Sequence, residues 1–192
     1  MKICRDINYR DFGITEENGW TASYNWEKPG KTFRKIDIGM LPVCGIFGLI
    51  LSKSEIFQSV PITQILLSIG ISLLLFLFVL TPIHELLHLI PMTGFKFDNW
   101  YILIGKGTVG AFYSGESSKK QVCISLITPL LVLGAPIIVS VVFLSGISKF
   151  CAIILLLCHI LGCNRDIYMF FYYIKRIPSN TMFYGNRIKA PD

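Results

Sequence analysis

Charge, histidine and paired cysteine are all scarce in this chain. Only 16% of the 192 residues are charged, three are histidines, and the mean hydropathy is +0.58. So little charge with 53% hydrophobic residues excludes intrinsic disorder and argues against an ordinary soluble domain. Six cysteines are present, yet none forms a C-x-x-C pair, and their spacing fits no small secreted disulfide framework. Cys4, Cys44, Cys123, Cys151, Cys158 and Cys163 therefore read as reduced thiols, mostly facing lipid or core. The first 36 residues hold no apolar run, so no cleaved leader is expected, and the first apolar segment would act as an uncleaved anchor. No internal repeat or low-complexity stretch stands out.

Long apolar runs supply what the chain has in excess. A polar segment, 1–36, carries Trp20, Tyr24 and Trp26, which suit partial folding or a membrane interface. Apolar runs follow at about 38–52, 62–90, 122–147 and 150–174. A bilayer-spanning helix needs about 20 apolar residues. The last three runs meet that length, and the first, interrupted by Gly39, Pro42, Gly45 and Gly48, is marginal. Basic residues sort the loops. Seven lie in the N-terminal segment, four in loop 91–121 and four in the C-terminal tail, against one each in loop 53–61 and near position 149. With four spans the first three regions share one face, and the positive-inside rule makes it cytoplasmic. The net charge of +6 is thereby assigned to a membrane margin, and no nucleic-acid partner is expected.

The expected fold class is an all-α polytopic membrane protein of about four transmembrane helices, with a short cytoplasmic β-hairpin between helices two and three. Residues 1–36 and 175–192 form cytoplasmic tails, and 37–174 form the membrane-embedded domain. Trp100-Tyr101-Ile102-Leu103-Ile104 and Val109-Gly110-Ala111-Phe112-Tyr113 flank Gly105-Lys106-Gly107, which reads as the hairpin with its glycine-rich turn.

His84-Glu85-Leu86-Leu87-His88 carries the chemistry. On a helix, residues four apart share a face, so both imidazoles can reach one ion. The glutamate after the first histidine is then placed to take a proton from water at that ion. Ionisable groups at the end of Ile71–Leu80 are costly in a membrane and call for a functional explanation. A catalytic zinc site usually takes a third protein ligand. If the second and fourth apolar runs descend in the same direction, Asp166 lies within about 3 Å of the depth of His84. His159, Cys163 and Glu116 are the alternatives. Thr81-Pro82 precedes the motif, and Pro82 has no N–H for the Phe78 carbonyl, so a kink is expected there.

The pairing of H-E-L-L-H at 84–88 with Asn164-Arg165-Asp166 in a later apolar run resembles the site-2-type intramembrane zinc metalloproteases. It resembles more closely the small bacterial membrane proteins classed as putative zincin peptidases. The likeness covers roughly residues 80–190 and includes Pro91-Met92-Thr93-Gly94-Phe95, Thr128-Pro129-Leu130 and Asp166-Ile167. It implies His84, His88 and Asp166 as ligands of one zinc ion per chain, and Glu85 as general base. The chain departs from the site-2 pattern in having Ile167 after the aspartate, no nearby preceding proline, and Arg165 beside the carboxylate. Pro91 and Gly94 stand where the metzincin extension has glycine and histidine.

The expected activity is zinc-dependent cleavage of membrane proteins or peptides by an endopeptidase in the bacterial cell membrane, with both termini cytoplasmic. Asn164 or His159 is a candidate for an oxyanion or substrate contact. Ile102, Ile104, Val109 and Ala111 are candidates to bind an unwound substrate strand. A non-enzymatic metal-binding membrane protein (an immunity protein, a transport accessory or an inactive protease relative) is the alternative. A haem bundle using His84 or His88 with His159 is a further one, but it leaves Glu85 without a role.

Overall fold

A computed structural model describes residues 2–4, 14–22, 60–93, 99–105, 108–185 and 187–189, and single positions 35, 38, 39, 42 and 53. Its elements in chain order are β1 (Lys2–Cys4), β2 (Trp20–Ala22), α1 (Ile62–Leu75), a π-helical turn (Phe76–Leu80), α2 (Thr81–Thr93), β3 (Trp100–Gly105), β4 (Thr108–Tyr113) and β5 (Ser117–Ser118). There follow α3 (Lys119–Phe143), α4 (Gly146–Gly162), α5 (Asn164–Arg176), β6 (Met182–Tyr184) and β7 (Arg187–Lys189).

Three helical stretches are long and apolar enough to cross a bilayer: Ile62–Thr93, Lys119–Phe143 and Gly146–Arg176, the last with a turn at Cys163. Even the 25-residue stretch reaches roughly 37 Å, more than a hydrocarbon core of about 30 Å. Leu66, Leu67, Phe78, Val142 and Phe143 are exposed on these helices, as lipid-facing side chains are. The marginal run at 38–52 lies almost wholly outside the described residues, and so does the Lys106-Gly107 turn of the hairpin.

The chain divides into two compact units. One comprises Pro29–Pro82 and Leu130–Arg165. Within it α1 packs on α4 through small polar residues. Ser68 and Ser72 are buried one turn apart, and the Ser72 hydroxyl lies 3.4 Å from the Cys151 carbonyl. Short side chains of this kind permit close helix approach where lipid supplies no hydrophobic drive. A π-helical turn, Phe76–Leu80, directly precedes Thr81-Pro82, where the sequence predicts a kink. Thr81 donates both its N–H and, at 2.9 Å, its hydroxyl to the Phe76 carbonyl. Widening the turn ahead of Pro82 accommodates a residue that cannot donate to the helix ladder.

The other unit comprises Met1–Lys28, Ile83–Pro129 and Asp166–Asp192, and it is richer in strand than the all-α expectation. The β3–β4 hairpin pairs antiparallel from Trp100↔Tyr113 to Gly105↔Thr108, and β1 adds parallel to β3. A second sheet runs in the order β2-β7-β6-β5. Ile14, Trp20, Phe112 and Tyr184 form a buried cluster against which Tyr101 packs. Ring centroids of Trp20–Tyr184 and Phe112–Tyr184 lie 6.1 and 6.0 Å apart, in the range favoured by aromatic pairs. The additional strands are two or three residues long. That is too short for period-two alternation to show in a sequence.

Side-chain bonds join these elements to the helices. Trp100, buried at the start of β3, donates its indole N–H to Thr93 Oγ1 at 2.8 Å, tying the hairpin to the end of α2. Ser118 and Gln121 form a capping box at the start of α3. The Ser118 N–H donates to Gln121 Oε1 at 2.9 Å, and the Gln121 N–H donates to Ser118 Oγ at 3.3 Å. Lys119 Nζ then donates to the carbonyls of Ile174 and Ile177, at 3.2 and 2.6 Å, satisfying the end of α5 with a cation where the helix dipole favours one.

Candidate metal centre

Helix α2 presents His84 and His88 on one face, and Asp166 comes to them from the first turn of α5. The break at Cys163, which caps α4, starts a new helix two residues before the carboxylate. His84 Nε2 lies 3.1 Å from Asp166 Oδ2 and 3.1 Å from His88 Nε2, and His88 Nε2 lies 3.6 Å from the same oxygen. Ligands of a tetrahedral zinc at about 2.0–2.1 Å stand roughly 3.3 Å from one another, so the three atoms are spaced as such a set requires. The side chains of His84, His88 and Asp166 are 13%, 16% and 19% exposed, so all three are largely buried.

Hydrogen bonding fixes what the converging atoms offer. His88 Nδ1 lies 2.9 Å from the Ser125 carbonyl, which can only accept, so the proton of a neutral ring sits on Nδ1. His88 Nε2 then presents a lone pair to the centre. Ser125 also donates its hydroxyl to the His88 carbonyl at 2.6 Å, so one residue of α3 holds both the ring and the backbone of His88. An imidazole whose far nitrogen is bound to a carbonyl is the usual second support of a metal ligand. Asp166 Oδ2 is an acceptor as well. A divalent cation satisfies this crowd of acceptors better than one proton on His84 does, and the donor set of two imidazoles and one carboxylate fits zinc.

Glu85 follows His84 on the same helical turn, and its Oε2 accepts the backbone N–H of Ala111 on β4 at 2.9 Å. Of the strand residues named from the sequence, Ile102 pairs with Ala111 and Ile104 with Val109. β1 pairs with the far side of β3 at Tyr101–Leu103, and among the described residues β4 is paired only with β3. Among the alternative third ligands, Glu116 is exposed between β4 and β5. His159 and Cys163 are both buried, with Cys163 Sγ 3.7 Å from His159 Nε2. Asn164 begins α5 and is partly buried there.

Two supports were not singled out from the sequence. Ser125 carried a signal, a hydroxyl within an apolar span, but a serine there bonds its own helix as readily as a neighbour. The Ala111 amide carried none, since every residue but proline has one.

Residues 77–182, more than half of the chain, match a family whose description reads "Putative zincin peptidase". No curated protein and no solved structure matches the chain.

Proposed function

The chain belongs to this putative zincin peptidase family, and from that premise we propose that it is a zinc-dependent endopeptidase of the bacterial cell membrane that hydrolyses peptide bonds of membrane proteins or peptides. The convergence of His84 Nε2, His88 Nε2 and Asp166 Oδ2 beside Glu85 carries this reading. His84, His88 and Asp166 would hold one ion per chain. Zinc supplies Lewis acidity when bound, making water a competent nucleophile near neutral pH and polarising a carbonyl.

The protein's own groups do the rest. Glu85 accepts the proton of the attacking water on its carboxylate and delivers it to the leaving amine nitrogen. Ser125 keeps the His88 ring in one tautomer and one orientation. The β4 edge receives the substrate as an extended strand, which suits a transmembrane helix that has to unwind before its peptide bond is accessible. Asn164 and His159 remain candidates for an oxyanion or substrate contact. With both termini cytoplasmic, the site faces that side of the bilayer.

Glu85→Gln tests the reading. The variant is expected to retain zinc and to lose cleavage of a membrane substrate by about 10²-fold or more, the usual worth of a general base. Cleavage at the parent rate in that variant would remove Glu85 from the mechanism.

A further inference from the structure

We propose that Glu85 is held away from catalysis by the β4 edge in the substrate-free protein, and that a docking peptide strand releases it by taking over the Ala111 N–H. The inference rests on the peptidase reading above and adds to it an autoinhibitory contact relieved by substrate.

Two independent observations give the direction of that amide. In an antiparallel pair, opposed residues alternate between exchanging hydrogen bonds and pointing their N–H and C=O groups away from the partner strand. The Ser114 N–H donates to the Asn99 carbonyl at 3.0 Å, which makes 99/114 a hydrogen-bonded pair. Counting along the register, 101/112 and 103/110 are hydrogen-bonded too, whereas 100/113, 102/111 and 104/109 are not. The Ala111 N–H therefore points outward, and Glu85 Oε2 is found on it at 2.9 Å.

β4 is paired on one side only, by β3, among the described residues. Its outer edge offers the N–H and C=O groups of Val109, Ala111 and Tyr113. A peptide lying along that edge places a carbonyl where the Glu85 carboxylate sits. One N–H serves one well-aligned acceptor, so the two occupants exclude each other. A carboxylate is the stronger single acceptor. The strand replaces that one bond with several along the edge, which lets a neutral peptide displace a charged group. A short peptide that cannot span 109–113 lacks those extra bonds and leaves Glu85 engaged.

The test measures binding on the zinc-free full chain in detergent, so neither metal nor hydrolysis enters. The probe is a fluorescein-labelled heptapeptide of alternating valine and threonine. Its control is the same peptide N-methylated at alternate residues, which partitions into the micelle but cannot complete a strand. Glu85→Ala removes the competitor and is expected to bind the probe about tenfold more tightly than the parent, with no gain for the control. Ala111→Pro removes the outward N–H while sparing the β3 ladder, as proline does on an edge strand. In that background Glu85→Ala is expected to give no gain. Equal affinity of parent and Glu85→Ala for the probe would overturn the proposal, as would an equal gain for probe and control. A parent chain that holds no zinc would end the peptidase reading and leave this difference in binding to be read by itself.

Discussion

His88 is bound at three places: its Nδ1–H to the Ser125 carbonyl, its own carbonyl to the Ser125 hydroxyl, and its Nε2 facing Asp166 and His84. Ser125→Ala leaves the carbonyl that orients the ring but frees the backbone beneath it. Zinc affinity is expected to fall by about tenfold, the low end for loss of a supporting partner, with the fold retained. A competition titration against a chromophoric chelator measures it, and unchanged affinity would show that the ring bond alone suffices. Asp166 and the histidine pair were legible in the sequence because a motif fixes one spacing and the helical rise fixes the depth of the other. The Ser125 clamp was not, because its partner is a main-chain carbonyl, which has no signature in residue identity.

Short connections between elements set the geometry of the centre. Trp100 bolts β3 to the end of α2, and β4 in turn contacts Glu85. Trp100→Phe keeps most of the buried area and removes the indole donor. It is expected to cost about 1–2 kcal/mol, read as a lowered unfolding midpoint of the detergent-solubilised protein. An unchanged midpoint would mean that packing alone places the hairpin. Ser118→Ala removes the capping box and is expected to cost about 1 kcal/mol. The hairpin itself was readable from two β-rich runs around a glycine pair, and Ser118-Lys119-Lys120-Gln121 has the S-x-x-Q form of the cap. The strands β1, β2, β5, β6 and β7 were not readable, because two or three residues carry no period. The π-helical turn was half legible. Pro82 signals a disturbance, but the π turn, with the Thr81 N–H and hydroxyl on the Phe76 carbonyl, has no signature of its own in the sequence.

Along their helices, the residues of the centre lie near polar ends. His88 is five residues before Thr93, Ser125 six after Lys119, and Asp166 nine before Lys175. At about 1.5 Å per residue these distances are roughly 8, 9 and 14 Å, against a hydrocarbon core of about 30 Å. Asp166 thus stands about half a core thickness from the basic end of its helix. Basic residues at those ends, Lys119, Lys120, Lys175 and Arg176, suit the cytoplasmic face. With four spans, tags at the two termini are both expected to be protected from protease added outside intact cells. Cleavage of one tag alone would show that 38–52 does not cross. The three helices long enough to cross a bilayer were legible from apolar length alone. The short first run, whose glycines and proline weaken the apolar signal, lies almost wholly outside the described residues.

The central claim is that His84, His88 and Asp166 together hold one zinc ion. Zinc content of the purified parent, of Asp166→Ala and of the double change His84→Ala/His88→Ala tests it most directly. One zinc per chain in the parent, lost in both variants while each remains folded, is the expected result. A folded parent without zinc, or an Asp166→Ala variant that keeps its full complement, would contradict it.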